Sequence, residues 1–265
     1  MSRSNPTLTN PALHFFEWKG GQGILQWYDK ENKKNVMVKL PFEFLVLDEL
    51  STITGFNKQQ DSGFWSNEVR NVTKDELFVR TSKGPFEAGL YANLAQTRAK
   101  GGGYTKSIYL AHKIKDEWVI GCFKASGSAL SAWIEFTKTM QRGALDTGKV
   151  IMAQGEAQDS PVGKFFPPKF TYMKADSDEN DIAADLDREL QVYLSQYLAQ
   201  PKVDEDARGV EEPLKATPEQ AAEYEGLRAS RSSKVVDNRP LPHETEQNYD
   251  YDLADEPINL DDIPF

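Results

Sequence analysis

The chain has 265 residues, 39% hydrophobic and 11% aromatic, enough to fill one sizeable core, and it carries a formal net charge of −10. No run approaches the roughly 18 consecutive apolar residues of a membrane-spanning helix, and residues 1–7 lack the apolar segment of a secretory signal, so a soluble cytoplasmic protein with no membrane partner is expected. A single cysteine, Cys122, excludes an internal disulfide, and with three scattered histidines (His14, His112, His243) it leaves no four-ligand zinc set; no metal and no cofactor are expected.

In chain order, residues 1–175 read as short β-rich runs punctuated by turns. Candidate strands cover 12–18, 23–28, 35–40, 43–50, 63–69, 76–81, 104–114, 117–124, 149–155 and 164–173. Turn residues stand between several of them: Gly20-Gly21, residues 29–33, Gly101-Gly102-Gly103 and Lys115-Asp116. The runs 104–114 and 117–124 form a hairpin candidate, because both arms are apolar-rich and two residues intervene. Cys122 falls in an apolar run and reads as a small buried hydrophobe.

One helix interrupts the strands. It covers 129–140, where Leu130, Trp133, Ile134 and Phe136 share a face, and Ser128 is placed to cap its first turn. Many strands around one inserted helix suit a Greek-key barrel of the OB type, although periodicity alone supports a β-barrel or sandwich and no more. A second helix is expected at 181–199: Ile182, Leu186, Leu190, Tyr193, Leu194, Tyr197 and Leu198 recur at helical spacing. Acids crowd its first turns, where the helix dipole favours them, and Pro201 ends it. Its apolar stripe is expected to dock on the barrel or on another subunit, the latter making a homodimer. Residues 201–256 are rich in Asp, Glu, Pro, Ser and Ala and too poor in apolar groups to offset their ordering entropy, so they read as a disordered acidic linker. A short helix is suggested at 218–228, with Thr217 as cap and Pro218 at its first position.

Charge is sorted along the chain. Residues 1–174 hold 23 Lys and Arg against 17 Asp and Glu, whereas residues 175–265 hold 8 against 24. A mildly basic front and a strongly acidic rear need separate explanations. Enzyme motifs find no support. Gly143 to Val150 nearly matches a phosphate-binding loop, but Val150 stands where a hydroxyl should meet magnesium, and the loop leaves a helix and enters a strand. The triple glycine at 101–103 lacks the strand–turn–helix setting of a dinucleotide site and reads as a flexible loop. Asp48-Glu49 and Asp75-Glu76 are adjacent pairs that a strand points to opposite faces; they read as solvated groups, not a catalytic dyad.

The sequence ends Asp261-Asp262-Ile263-Pro264-Phe265, preceded by an acidic spacer. This resembles the acidic tip of bacterial and phage single-stranded DNA-binding proteins, and the longer core is similar to the divergent members found in tailed phages. The resemblance implies an OB-fold core at 1–175, the C-terminal helix at 176–200 packed on it, the linker at 201–256, and a partner-binding tip at 257–265. It also implies a function: coating and protecting single-stranded DNA during replication, recombination and repair, in the cytoplasm of a bacterial host. In the family the tip docks on replication, recombination and repair proteins. Phe265 offers a ring and a carboxylate to a pocket with an arginine, Pro264 limits the entropy lost on docking, Ile263 adds apolar contact, and Asp261 and Asp262 favour a basic rim. A strand-annealing protein and an adaptor that borrows the tail without binding DNA are the competing readings.

A sequence-tolerant binder needs cations along a groove and aromatic faces for bases. The front region interleaves both: Trp27, Tyr28 and Lys34; Trp65; Arg80, Lys83 and Tyr91; and Arg98, Lys100, Tyr104 and Lys106 around the triple glycine, which is expected to let that loop close over a strand. These eleven are the candidate DNA contacts. For each aromatic the plainer reading is a core side chain. Trp18, Trp118 and Trp133, in apolar runs, are assigned to the core.

Overall fold

The computed structural model describes residues 9–59, 61–161 and 163–199. They contain β1 (His14–Lys19), β2 (Ile24–Asp29), β3 (Lys34–Val38), β4 (Phe42–Asn57), β5 (Ser62–Ser66), β6 (Leu77–Thr81), β7 (Gly84–Gly89), β8 (Gly102–Ile114), β9 (Glu117–Ala125), β10 (Gly148–Gln154), β11 (Gln158–Ser160), β12 (Gly163–Phe165) and β13 (Pro168–Lys174), with helices α1 (Ala95–Ala99), α2 (Gly127–Lys138) and α3 (Ser177–Ala199). The protein is mainly β. The expected linker at 201–256, the short helix at 218–228, the terminating Pro201 and the tip at 257–265 lie outside the described residues. No helix among the described residues is long and apolar enough to cross a membrane.

Eleven strands make one mixed sheet in the order β3-β2-β1-β9-β8-β4-β5-β6-β7, with β10 bridging β4 and β13; β11 and β12 pair separately. β1 runs parallel to β9, and the other pairs are antiparallel. The sheet curls back on itself. The Phe166 N–H donates to the Gly20 carbonyl, and the Trp18 indole N–H donates to the Phe166 carbonyl, each at 2.8 Å. The β1–β2 hairpin therefore meets the chain entering β13. Gly23 is required there: a Cβ at this position, where φ is +65°, would lie 2.1 Å from the Gln154 side chain.

The curled sheet separates two cores. Inside lie Phe16, Phe44, Ile108, Phe123, Val150 and Met152, closed at one end by Trp133 of α2. The Trp133 ring packs against Phe44, Phe136 and Phe170, and its N–H donates to Glu49 at 2.8 Å, so the one polar atom of a fully buried ring has a partner. On the outer face of β4, β8 and β9, a second core gathers Leu45, Leu50, Tyr109 and Cys122 beneath Leu186, Leu190, Tyr193 and Leu194 of α3. The apolar stripe of the last helix thus docks on the sheet of its own chain.

Several expectations need correction. α2 starts at Gly127 with Ser126 at the cap position and no side-chain cap bond, so Ser128 is already within the helix. The run 164–173 is divided between β12 and β13, because Pro167-Pro168 cannot supply consecutive ladder donors. β7, α1 and β11 were not anticipated. Gly102 and Gly103 belong to β8 instead of a flexible loop. Gly101 has φ +99°, and a Cβ there would lie 2.5 Å from the Phe56 carbonyl, so this backbone is held against β4. The hairpin of β8 and β9 does turn at Lys115-Asp116, with φ +58° at Lys115. Gly143 to Gly148 is a helix-to-strand turn, as read.

Candidate nucleic-acid interface

Strand register assigns each candidate to a face. Phe16 pairs with Phe123 and Trp27, and Trp27 with Val36, which puts Trp27 on the side of the inner core. Across the other half, Thr54 pairs with Trp65 and Trp65 with Arg80, while their neighbours Ile53, Phe64 and Val79 enter that core. Because side chains alternate along a strand, Trp65 and Arg80 share the outer face, and Trp27 lies on the inner one. Tyr28 follows Trp27 and therefore shares the outer face with Trp65, whereas Lys34 shares the inner face with Trp27. The interleaved candidates on these strands are divided between two wings at opposite ends of the sheet, β2–β3 and β5–β7.

The tryptophans differ in what they touch. Trp133 is in the inner core, Trp18 and Trp27 pack against it, and Trp118 packs against the outer core; Trp65, half-buried, is placed with neither. Trp27 is also occupied by His14, whose ring centre is 4.0 Å away. His14 Nδ1 is 3.3 Å from His112 Nε2. Burial holds these imidazoles at about 4 and about 3, so both are neutral and one donates to the other.

Three further candidates are withdrawn by burial. Tyr91 and Tyr104 are 7% and 3% exposed, with ring centres 5.6 Å apart, and the Tyr104 hydroxyl bonds Ser51 at 2.9 Å. Neither offers an open ring to a base. Lys106 is buried against the Glu49 carboxylate that also receives Trp133, so its charge is neutralised internally. Arg98 is exposed but committed: it lies 5.6 Å over the Tyr91 ring and donates to the Ala92 carbonyl at 2.9 Å. Asp48 and Glu49 do face opposite ways, but they are not solvated. A bulge after Val46 turns Asp48 toward Arg70 and Gln191 of the α3 side.

What remains gathers at the tip of the β5–β7 wing. The hydroxyls of Ser62 and Ser82 bond at 2.7 Å, joining the turn after β4, which carries Lys58, to the turn before β7, which carries Lys83. Gly101 abuts Phe56, which brings the preceding Lys100 to the same end, where its amine lies 5.1 Å above Phe86. Lys58 and Lys83 are exposed. Of the nearby acids, Glu87 is spent on α1, accepting from the Thr97 N–H and hydroxyl at 2.7 Å each, and Asp61 is exposed. Arg80 is thus the cation paired across from the half-buried Trp65, Lys58 and Lys83 stand in the turns at the end of the same wing, and Lys100 lies at that end over Phe86, on the side that packs against the inner core. Lys58 was missed from sequence because only the contact between Ser62 and Ser82 joins its turn to the one that carries Lys83.

The wing is fixed to the body by polar contacts. The Ile53 N–H donates to Ser66 Oγ at 2.9 Å, and the Phe78 N–H donates to Asn67 Oδ1 at 2.6 Å. Glu68 then enters the interior, where it pairs with Lys124 and accepts from the Tyr109 hydroxyl at 2.8 Å; its own N–H donates to the Tyr197 hydroxyl of α3 at 2.8 Å. Burial would raise the Glu68 carboxyl, but Lys124 and the hydroxyls around it outweigh that and keep it below the usual range. Cys122, fully buried beside this network, has its thiol pushed up to about 12 by burial and is chemically quiet. No protein-family model, curated protein or solved structure matches the chain.

Proposed function

We propose that this chain is a single-stranded DNA-binding protein whose core is an OB-type barrel, and that it holds the strand on the β5–β7 wing. Strand connectivity supports the barrel reading. β4 pairs with β8, β8 with β9, β4 again with β10, and β10 with β13, with α2 between β9 and β10. This order resembles that of a five-stranded Greek-key barrel, with β1 paired to the third of these strands, β9. Barrels of this type bind oligonucleotides over strands two and three and on the loops between strands one and two and between four and five. Here α3 covers the outer face of the strands in the second and third positions, β8 and β9. The remaining sites are the loops, and the loop between the first two barrel strands is the β5–β7 wing.

The observation that carries the reading is Trp65 beside Arg80, on a wing whose end also carries Lys58, Lys83 and Lys100: a half-buried ring for stacking and cations for the backbone on one wing. Recruitment of replication, recombination and repair proteins rests on the sequence Asp261 to Phe265 and is part of the same proposal. The test is binding of the full chain to oligo-dT and to a duplex of equal length across a salt series, read by tryptophan fluorescence. Quenching by oligo-dT with a strong preference over duplex is expected. Four phosphate contacts would give a slope of log affinity against log salt of about −3. Equal binding to both forms, or no quenching, would overturn the proposal.

A further inference from the structure

The sheets have free edges, and natural proteins protect such edges with proline, short strands, covering helices or lysines. β7 contains Pro85 and is tied to α1 through Glu87. β13 opens on Pro168 and packs against α2. β11 and β12 are three residues long. β3 has neither a proline nor a covering element: among the described residues it pairs with β2 alone, its Met37 is 71% exposed, and what guards it is lysine.

Its charges select what can pair there. Lys33 and Lys34 stand at one end and Lys39 at the other, all exposed, so an antiparallel second copy centred on Val36 would set Lys33 against Lys39. The nearest acids are Glu31, which is exposed, and Asp29, whose carboxylate is engaged by the N–H groups of Glu31 and Asn32 at 3.0 Å each. An acidic extended segment meets no such conflict. The sequence supplies a candidate: Tyr249-Asp250-Tyr251-Asp252-Leu253 alternates apolar and acidic residues with the period of a strand, and no proline occurs between Pro242 and Pro257.

We propose that residues 249–253 add to the outer edge of β3 as a further strand of the same molecule. The alternation fits β3 in one way. Tyr249, Tyr251 and Leu253 extend the inner-face rows that run Phe16–Trp27–Val36 and Trp18–Leu25–Val38, while Asp250 and Asp252 fall on the outer face beside Asn35, Met37 and Lys39. A coil spanning the residues between Ala199 and Tyr249 has a root-mean-square reach of about 39 Å, so attachment within one molecule is within range. The result is an edge that rejects its own copy and accepts an anionic strand through backbone bonds.

The test uses full-length chains. Met37→Cys is combined in turn with Asp250→Cys, Tyr251→Cys and Asp252→Cys and oxidised mildly at low protein concentration; Cys122, fully buried, stays out of the reaction. The 250 or 252 pairing should close an internal disulfide at least about tenfold faster than the 251 pairing, and faster than the same partners with Lys83→Cys. Equal rates at all positions, or bridged dimers alone, would overturn the proposal. In the unmodified chain, amide exchange over Lys34–Val38 should be slower than in the Tyr251→Pro variant; identical exchange would overturn it as well.

Discussion

Replacing Trp65 with alanine separates DNA binding from folding. Stacking one base on an aromatic ring contributes about 1–3 kcal/mol, and 1.4 kcal/mol is a factor of ten, so the dissociation constant for oligo-dT should rise about 5- to 150-fold. The fold should tolerate the change, since Trp65 is placed with neither core and its backbone remains between Thr54 and Arg80. Trp27→Ala should do the reverse. It strips a ring from His14 and from the inner core, lowering the melting temperature while leaving the affinity of the folded protein near wild type. Anisotropy of labelled oligo-dT at fixed salt, with circular dichroism melts of each variant, measures both quantities. Trp65→Phe should retain most of the affinity. A folded Trp65→Ala protein with wild-type affinity would refute the assignment of the interface to this wing.

Two further outcomes are expected from the buried polar groups. Lys124→Met leaves the Glu68 carboxylate enclosed without its cation, which should cost about 3–5 kcal/mol. A urea midpoint equal to wild type would contradict this, and adding Glu68→Leu should recover much of the loss. The second concerns acid. His14 and His112 are held at about 4 and about 3 by burial, against 6.5 when free. Between those values the unfolded chain binds more protons than the folded one, so stability is full above about pH 6.5 and declines as pH falls toward 4. The His112 share is on the order of 4 kcal/mol by pH 3. His112→Phe should flatten the slope of melting temperature against pH in that window, and an unchanged slope would contradict the burial argument.

Most strands were legible because a half-buried strand alternates, and the amphipathic α3 was legible from its 3.6-residue period. β7 was missed because Gly84, Pro85 and Gly89 read as turn chemistry; they instead form an edge strand, where proline is tolerated. The candidate contacts on β8 failed for another reason. A central strand buried by the inner core on one side and by α3 on the other has no solvent face, so Tyr104 and Lys106 are enclosed despite a polar, glycine-rich neighbourhood. Local sequence also cannot tell that Lys106 has Glu49, fifty-seven positions away, as its counter-ion. Arg80 and Trp65, by contrast, form one row only through register, which no window along the chain displays.

β4 belongs to every part of the molecule at once. Its first residues pair with β10, its middle with β8 and its last with β5. The polypeptide therefore cannot be divided into independently folding halves: a fragment stopping before Gly148 would unzip Phe42 to Leu45 and lay Phe44 bare. Nascent chains emerging from a ribosome would hold that aromatic stretch unmatched until more than ninety further residues had been made, a period in which a chaperone, or rapid provisional pairing with β8, has to shield it.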